Sequence, residues 1–165
     1  ILFSSNYKEE FKHIFKNKDL YSDPTVYINI TSKDNPNYAP KGCENWFILV
    51  NAPYNDGQDW DALIDQCRNQ VQNKIKKSLG IDIKPFIAVE KILDPREIES
   101  RTSSYKGALY GTSSNSMLSA FWRHPNFHKR IRNLYFCGGS VHPGGGIPLC
   151  LNSAKIVGQM IRNHA

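Results

Sequence analysis

Between Phe136 and Cys150 the chain reads FCGGSVHPGGGIPLC, five glycines and two prolines in fifteen residues. Neither a strand nor a helix interior tolerates so much bare backbone, because glycine loses the most conformational freedom on folding and proline removes a donor. The segment must be a turn, and its flanks say what it joins. Asn133 to Cys137 carries the apolar run Leu134-Tyr135-Phe136 and reads as a strand. Beyond Pro148, the residues Cys150, Ala154, Val157 and Ile161 recur at helical spacing and share one face. The order is therefore strand, glycine turn, helix.

Upstream, helical and extended signals alternate. Tyr7, Phe11, Ile14 and Phe15 fall at helical spacing after a cap at Ser5 and stop near Asn17 to Asp19. Thr25 to Thr31 (TVYINIT) alternates β-branched and polar residues, and Trp46 to Val50 is a continuous apolar run, so both read as strands, the second the more deeply buried. Trp60, Leu63, Ile64, Cys67, Val71, Ile75 and Leu79 form one long helical stripe, capped by Asp59 and stopped by Gly80. Phe86 to Leu93 reads as a third strand, and Pro95 opens a short helix to about Ser100 behind the acid pair Asp94 and Glu97. Thr102 to Ser119 shifts to serine, glycine and tyrosine and reads as a long loop.

Composition removes several function classes. At 165 residues the chain can bury roughly 70% of the surface its unfolded form exposes, so it needs no covalent staples. Cys43, Cys67, Cys137 and Cys150 are widely spaced without a C-x-x-C pair, which points to a reducing, cytoplasmic setting and to cysteines acting as small buried hydrophobes. No run approaches the roughly 18 apolar residues of a membrane span. The formal charge of +6 is spread, with denser spots at Lys74-Ile75-Lys76-Lys77 and His128-Lys129-Arg130-Ile131-Arg132. Neither lies in a recognised nucleic-acid module, so no nucleic-acid partner is expected, and such spots are either solvated surface or attract phosphate from lipid head groups or a cofactor.

A glycine turn between strand and helix has a physical use. Absent side chains let a ligand approach the backbone, and the helix start offers free N–H groups to an anion. A plain glycine-rich loop has the same pattern, and neither GxGxxG nor GxxxxGK[ST] occurs in the chain. His142 precedes a proline in the turn, where a structural hydrogen bond is the simpler role than proton transfer. His124 and His128 are four apart, but Pro125 argues against one helix presenting both to a metal, and no metal is expected.

Asn133 to Ile161, NLYFCGGSVHPGGGIPLCLNSAKIVGQMI, resembles the C-terminal FAD-binding signature of the carotenoid desaturases, of the phytoene dehydrogenase and hydroxycarotenoid 3,4-desaturase type within the flavin amine-oxidase superfamily. A strand entering a glycine pair, then His-Pro-Gly-x-Gly-Ile-Pro, then a helix near Asn-Ser-Ala-Lys all occur in order. Asp23-Pro24-Thr25-Val26-Tyr27, Ala39-Pro40-Lys41-Gly42-Cys43 and Ser104 to Gly111 resemble further family segments, so the likeness covers nearly the whole chain.

The resemblance implies that Gly138, Gly139, Ser140, Gly145, Gly146, Ile147 and Pro148 lie along the ribityl and isoalloxazine side of FAD, with Asn152 and Ser153 near the helix start. The wider superfamily often has an acidic residue at or beside Ser140, a departure that bears on any ribityl contact there. It further implies hydride removal from an allylic C–H of an apolar polyene, with no protein acid or base nominated. Tyr105, Tyr110, Phe121 and Trp122 are the candidate substrate wall, although aromatics at such densities also build cores. A lipid-dissolved substrate implies peripheral contact with the inner face of the membrane.

The expected class is α+β: a mixed sheet covered by helices over residues 1–100, in the manner of a substrate lobe, and residues 101–165 as the strand, glycine turn and helix of a Rossmann-like FAD domain. Members of the family open with a βαβ unit that holds the ADP half of FAD, and this sequence has none, so it looks like the C-terminal part of a longer enzyme. The isolated chain is expected to be colourless and inactive, and to pair with a second copy through the apolar faces of its last strand and helix. Two other classes stay open: a polyene saturase or amine oxidase of the same superfamily, which the HPGGGIP segment disfavours, and a non-catalytic binding domain.

Overall fold

The computed structural model describes residues 1–109 and 123–164. The chain divides into two compact units, Ile1–Pro95 and Arg96–Ala165. Among the described residues the secondary structure is α+β: four α-helices, short 3₁₀ and π turns, and a two-stranded antiparallel sheet.

In Ile1–Pro95 the sheet pairs β1 (Val26–Asn29) with β2 (Phe47–Val50) in the register Val26↔Val50, Tyr27↔Leu49, Ile28↔Ile48 and Asn29↔Phe47. The pleat sends alternate residues to opposite faces. Val26, Ile28, Ile48 and Val50 pack with Val71 and Ile75, so the stripe of the long helix lies on that face. The other face carries Tyr27, Phe47 and Leu49, all exposed, with Tyr27 and Phe47 edge to face at 6.4 Å. The apolar run of β2 is therefore only half covered, and β1 is the deeper strand, the reverse of the sequence expectation. Leu2 exchanges two 2.9 Å backbone hydrogen bonds with Val26 and occupies the other edge of β1.

The long helix spans Trp60–Leu79, as its stripe predicts. Asp59 accepts the Ala62 N–H at 3.1 Å, and Gly80 closes the helix at φ 71°, donating to Lys76 O at 2.9 Å. Trp60, Val71 and Ile75 are buried, and burial also pushes the Cys67 thiol pKa up. Lys74 ties this helix to the start of β1, its ammonium donating to Asp23 and to Pro24 O, each at 2.7 Å. That contact and the Ser5 N–H hold the Asp23 carboxyl down at about 2.

The opening helix differs from its pattern. α1 runs Tyr7–Lys12 and continues as a π turn over His13–Asn17, and its cap is Asn6, which accepts from Glu9 N–H. Tyr7, Phe11 and Phe15 stack as a ladder, with Tyr7 and Phe15 exposed, while Ile14 and the charged Glu10 face inward. Glu10 is satisfied there by the Thr25 N–H at 2.9 Å, the Thr25 hydroxyl at 2.7 Å and Asn51 at 3.4 Å. A buried carboxylate is tolerated only with such partners.

The expected third strand is absent. Lys84–Phe86 is a 3₁₀ turn and Ile87 to Asp94 has no ladder, with Phe86 79% and Val89 90% exposed. Pro85 sets the turn, and a strand without a neighbour gains no hydrogen bonds. The segment is held instead by Glu90, which accepts from Arg68 Nε at 3.0 Å. With α2 for Trp60–Leu79, the next helix is α3 (Pro95–Thr102), which begins at the expected proline.

In Arg96–Ala165 the expected strand Asn133 to Cys137 reduces to one antiparallel bridge, Phe127↔Tyr135, so no parallel strand precedes the glycine turn among the described residues. The last helix, α4, spans Ile147–His164. Its inward face is Ser153, Ile156, Val157 and Met160, whereas Ala154 and Ile161 are exposed, a rotation from the expected face. Cys43 and Cys137 are exposed and not buried. No helix among the described residues is long and apolar enough to cross a membrane.

Candidate functional site

The glycine turn is built from three pieces of chain: the segment His124–Phe127, the turn itself and α4. Phe136 N–H donates to Asn126 O at 2.8 Å, and His142 N–H donates to His124 O at 2.9 Å, so both ends of the stretch 136–142 are tied to one strand-like segment. The Asn126 side-chain amide is buried at the centre. Its NH₂ contacts Phe136 O at 3.1 Å, His142 O at 2.8 Å and Ser153 Oγ at 2.9 Å, two hydrogens shared among three acceptors. Ser153 Oγ also accepts the Gly138 N–H at 3.1 Å. This polar knot sets the path of the turn, and Val141 is buried beneath it.

Two glycines have close neighbours, and of these Gly144 is required by its positive φ, while a side chain at Gly139 would make ordinary van der Waals contact. At Gly144, φ is 135° and an added Cβ would come within 2.9 Å of Arg123 Nε and Cζ. At Gly139 a Cβ would meet Gly145 Cα at 3.4 Å and Cys150 Sγ at 3.5 Å, so the two glycine stretches pass backbone against backbone. Gly138 and Gly146 instead face open space, with nothing within 4 Å of an added Cβ. Their backbone is left bare at the surface, with φ of 124° at Gly138 and 98° at Gly146. The helix ladder begins with Cys150 N–H donating to Gly146 O at 2.9 Å, leaving the Ile147 and Leu149 N–H groups ahead of it. Ile147 is 79% exposed, and Pro148, Leu149 and Leu151 are exposed beside it.

The nominated residues thus separate. Gly138, Gly139, Gly145 and Gly146 gather in one turn with Ile147 and Pro148 at its exit, and Ser140 and Asn152 are exposed. Ser153 is enclosed and its hydroxyl is engaged inside the protein, so it shapes the turn from within. His142 contributes both backbone groups to the structure, and its ring is exposed. Tyr105 lies in a 3₁₀ turn, 80% exposed, with the Lys106 ammonium 5.7 Å from its ring centre. Tyr110, Phe121 and Trp122 lie outside the described residues. A cleft of about 330 Å³ lined by Arg123, Asn126, His142 and Met160 adjoins the knot, and none of the nominated cofactor residues lines it. Asn126 was invisible to pattern reading because a lone asparagine after a proline carries no periodic or spacing signal.

The chain is 60% identical, over 99% of its length, to the 1-hydroxycarotenoid 3,4-desaturase of Flavobacterium sp. (strain P99-3). This chain is homologous to about one third of a carotenoid desaturase. It is also 35% identical over 98% of its length to the 4,4'-diapophytoene desaturase (4,4'-diapolycopene-forming) of Methylomonas sp., and 34% identical over 97% to the 4,4'-diaponeurosporene oxygenase of Staphylococcus haemolyticus (strain JCSC1435). It covers 33%, 32% and 32% of these relatives, so the chain spans about a third of the length of the curated proteins it matches. No protein-family model matches it.

Proposed function

We propose that this chain is part of an FAD-dependent carotenoid desaturase, its glycine turn holding the flavin end of the cofactor. The observation that carries the reading is the open backbone at Gly138 and Gly146 beside the exposed apolar start of α4, in a chain 60% identical to a hydroxycarotenoid desaturase. Gly138, Gly139, Gly145 and Gly146 admit the cofactor to the backbone, Ile147 and Pro148 offer it an apolar edge, and Ser140 and Asn152 supply exposed polar groups. Asn126 and Ser153 keep that surface in register from below. Flavin, when bound, supplies the hydride acceptor for oxidation of an allylic C–H. The protein's part is to orient the polyene and exclude water, with Tyr105, Tyr110, Phe121 and Trp122 as its aromatic wall. On this reading residues 101–165 complete a flavin domain and residues 1–100 form a substrate lobe. A substrate dissolved in lipid places the work at a cytoplasmic membrane surface.

The similarity to an oxygenase favours a second reading, oxygenation of a carotenoid, and the higher identity to a desaturase ranks it second. Purified full-length protein separates them. A flavin absorbance spectrum together with loss of two hydrogens from a hydroxycarotenoid, read by mass, supports desaturation. A gain of oxygen supports the second reading, and a protein without flavin that alters no carotenoid overturns both.

A further inference from the structure

The two dense basic spots have different electrical surroundings. In the first, Lys74 is paired with Asp23 and Lys76 with Asp82. In the second, among the described residues, Lys129, Arg130 and Arg132 are exposed and enter no ion pair. The sequence explains why: all 15 acidic residues lie between Glu9 and Glu99, so none follows Glu99, while eight of the 21 Lys and Arg residues lie from Arg101 onward.

The second spot is also shaped. Phe127↔Tyr135 and the 3.0 Å bond from His128 N–H to Leu134 O close a hairpin whose tip is His128-Lys129-Arg130-Ile131-Arg132-Asn133. The His128 ring nitrogen Nδ1 accepts from Arg130 N–H at 3.2 Å and Ile131 N–H at 2.9 Å, which curls the tip around it, and Asn133 completes the reversal at φ 60°. Ile131 is thereby left 54% exposed between two exposed arginines. A cleft of about 370 Å³ lined by His124, Phe127, His128, Lys129 and Arg130 opens beside it.

We infer that this hairpin tip docks the protein on an anionic phospholipid surface, with Lys129, Arg130 and Arg132 over the phosphates and Ile131 inserted at the interface. Cations alone would serve any polyanion. An apolar side chain at the apex, between the charges, gains only where a hydrocarbon layer lies beneath them, which favours a bilayer over nucleic acid. The inference rests on the functional reading only in that a lipid-dissolved substrate gives the contact a use.

The test is sedimentation of the full-length protein with vesicles of phosphatidylcholine alone or with added phosphatidylglycerol, across a salt series, with neither flavin nor substrate added. Binding to the phosphatidylglycerol vesicles that weakens with salt is expected. The reversal variant Lys129→Glu/Arg130→Glu/Arg132→Glu should bind at least about 100-fold less, at about fivefold per cation removed before the repulsion of the added carboxylates, and Ile131→Ser about tenfold less with the salt dependence kept. Both variants should keep the flavin content of the parent. Should the reversal variant fail to fold, as judged by circular dichroism, the salt series and Ile131→Ser decide. No vesicle binding, equal binding to phosphatidylcholine alone, or full binding by either variant overturns the inference. Loss of flavin from a folded reversal variant also overturns it, assigning the cations to the cofactor, as would single-stranded RNA binding that outcompetes vesicles and ignores Ile131→Ser. A protein that binds vesicles yet carries no flavin removes the functional reading and leaves this one standing.

Discussion

In Ile1–Pro95 the buried contacts at the centre are apolar, Val71 and Ile75 of α2 against Val26, and the cations around them meet acids, Lys74 with Asp23 and Arg68 with Glu90. In Arg96–Ala165 the best-buried groups at the glycine turn are polar, Asn126 and Ser153, and the two acids of the unit, Glu97 and Glu99, both lie in α3, where Glu97 pairs with Arg101. The contrast has a physical basis. A helix on a sheet can hide its stripe and needs no particular hydrogen bonds to do so. A run of glycines has no side chains to bury, so its path is fixed by directional bonds from elsewhere.

The strongest way to break the comparison is at the apolar centre. Ile75→Ala should cost about 2–5 kcal/mol in urea unfolding, because a fully buried side chain leaves a cavity on the sheet face. Amide exchange should rise in β1, β2 and α2 and stay unchanged at Gly138; a spread of exchange to the turn would show that the two kinds of core are not separate.

Asn126→Ala should cost about 1–3 kcal/mol, since it takes the amide donor from two carbonyls and leaves the Ser153 hydroxyl with the Gly138 N–H alone. Its signature is positional: amide resonances of Gly138 to His142 should move, and flavin content of the full-length protein should fall. Asn126→Asp, which keeps the shape but removes the donor, should behave like the alanine variant, and recovery of the turn in it would refute the donor argument.

At the start of α2, Asp59→Ala should lose about 1 kcal/mol, typical of an N-cap, with Asp59→Ser recovering most of it.

The pairing of Asp23 is smaller and pH-dependent. Its folded value, about 2, lies below its ordinary 3.8, so the contribution is present above about pH 4 and is lost as pH falls toward 2. Thermal melts between those values should flatten in Asp23→Asn; an unchanged slope would show that the pair contributes nothing. Smallest of all, Val89→Ser should change stability by no more than about 0.5 kcal/mol, because the residue is almost wholly exposed. A larger loss would mean that the segment after Phe86 is covered in the full-length protein.

Much of this was legible in the sequence where a local rule had a single outcome. Asp59, Gly80 and an uninterrupted stripe leave one helix, and Pro95 starts another. The glycine turn could be located, because nothing else fits FCGGSVHPGGGIPLC, although α4 starts at Ile147, inside that stretch, and a single bridge stands where a strand was expected. Three apolar patterns misled. Phe86 to Leu93 has strand composition but no neighbour, β2 is apolar on a face that nothing among the described residues covers, and the aromatic ladder of α1 points outward while Glu10 goes in. In each case the pattern reports a preference for burial, and the partner that would satisfy it is a separate fact.

The sequence by itself determined where helices start and stop, where the chain must turn, and that every negative charge lies in the first hundred residues. Those properties depend on neighbours along the chain, through φ restriction, caps and composition. Tertiary structure alone decided which face of α4 is inward, that Ser153 turns into the protein, and that Asn126 holds Phe136, His142 and Ser153 together. Those depend on groups 10 to 27 residues apart meeting within hydrogen-bond distance, and no periodicity encodes a meeting of that kind.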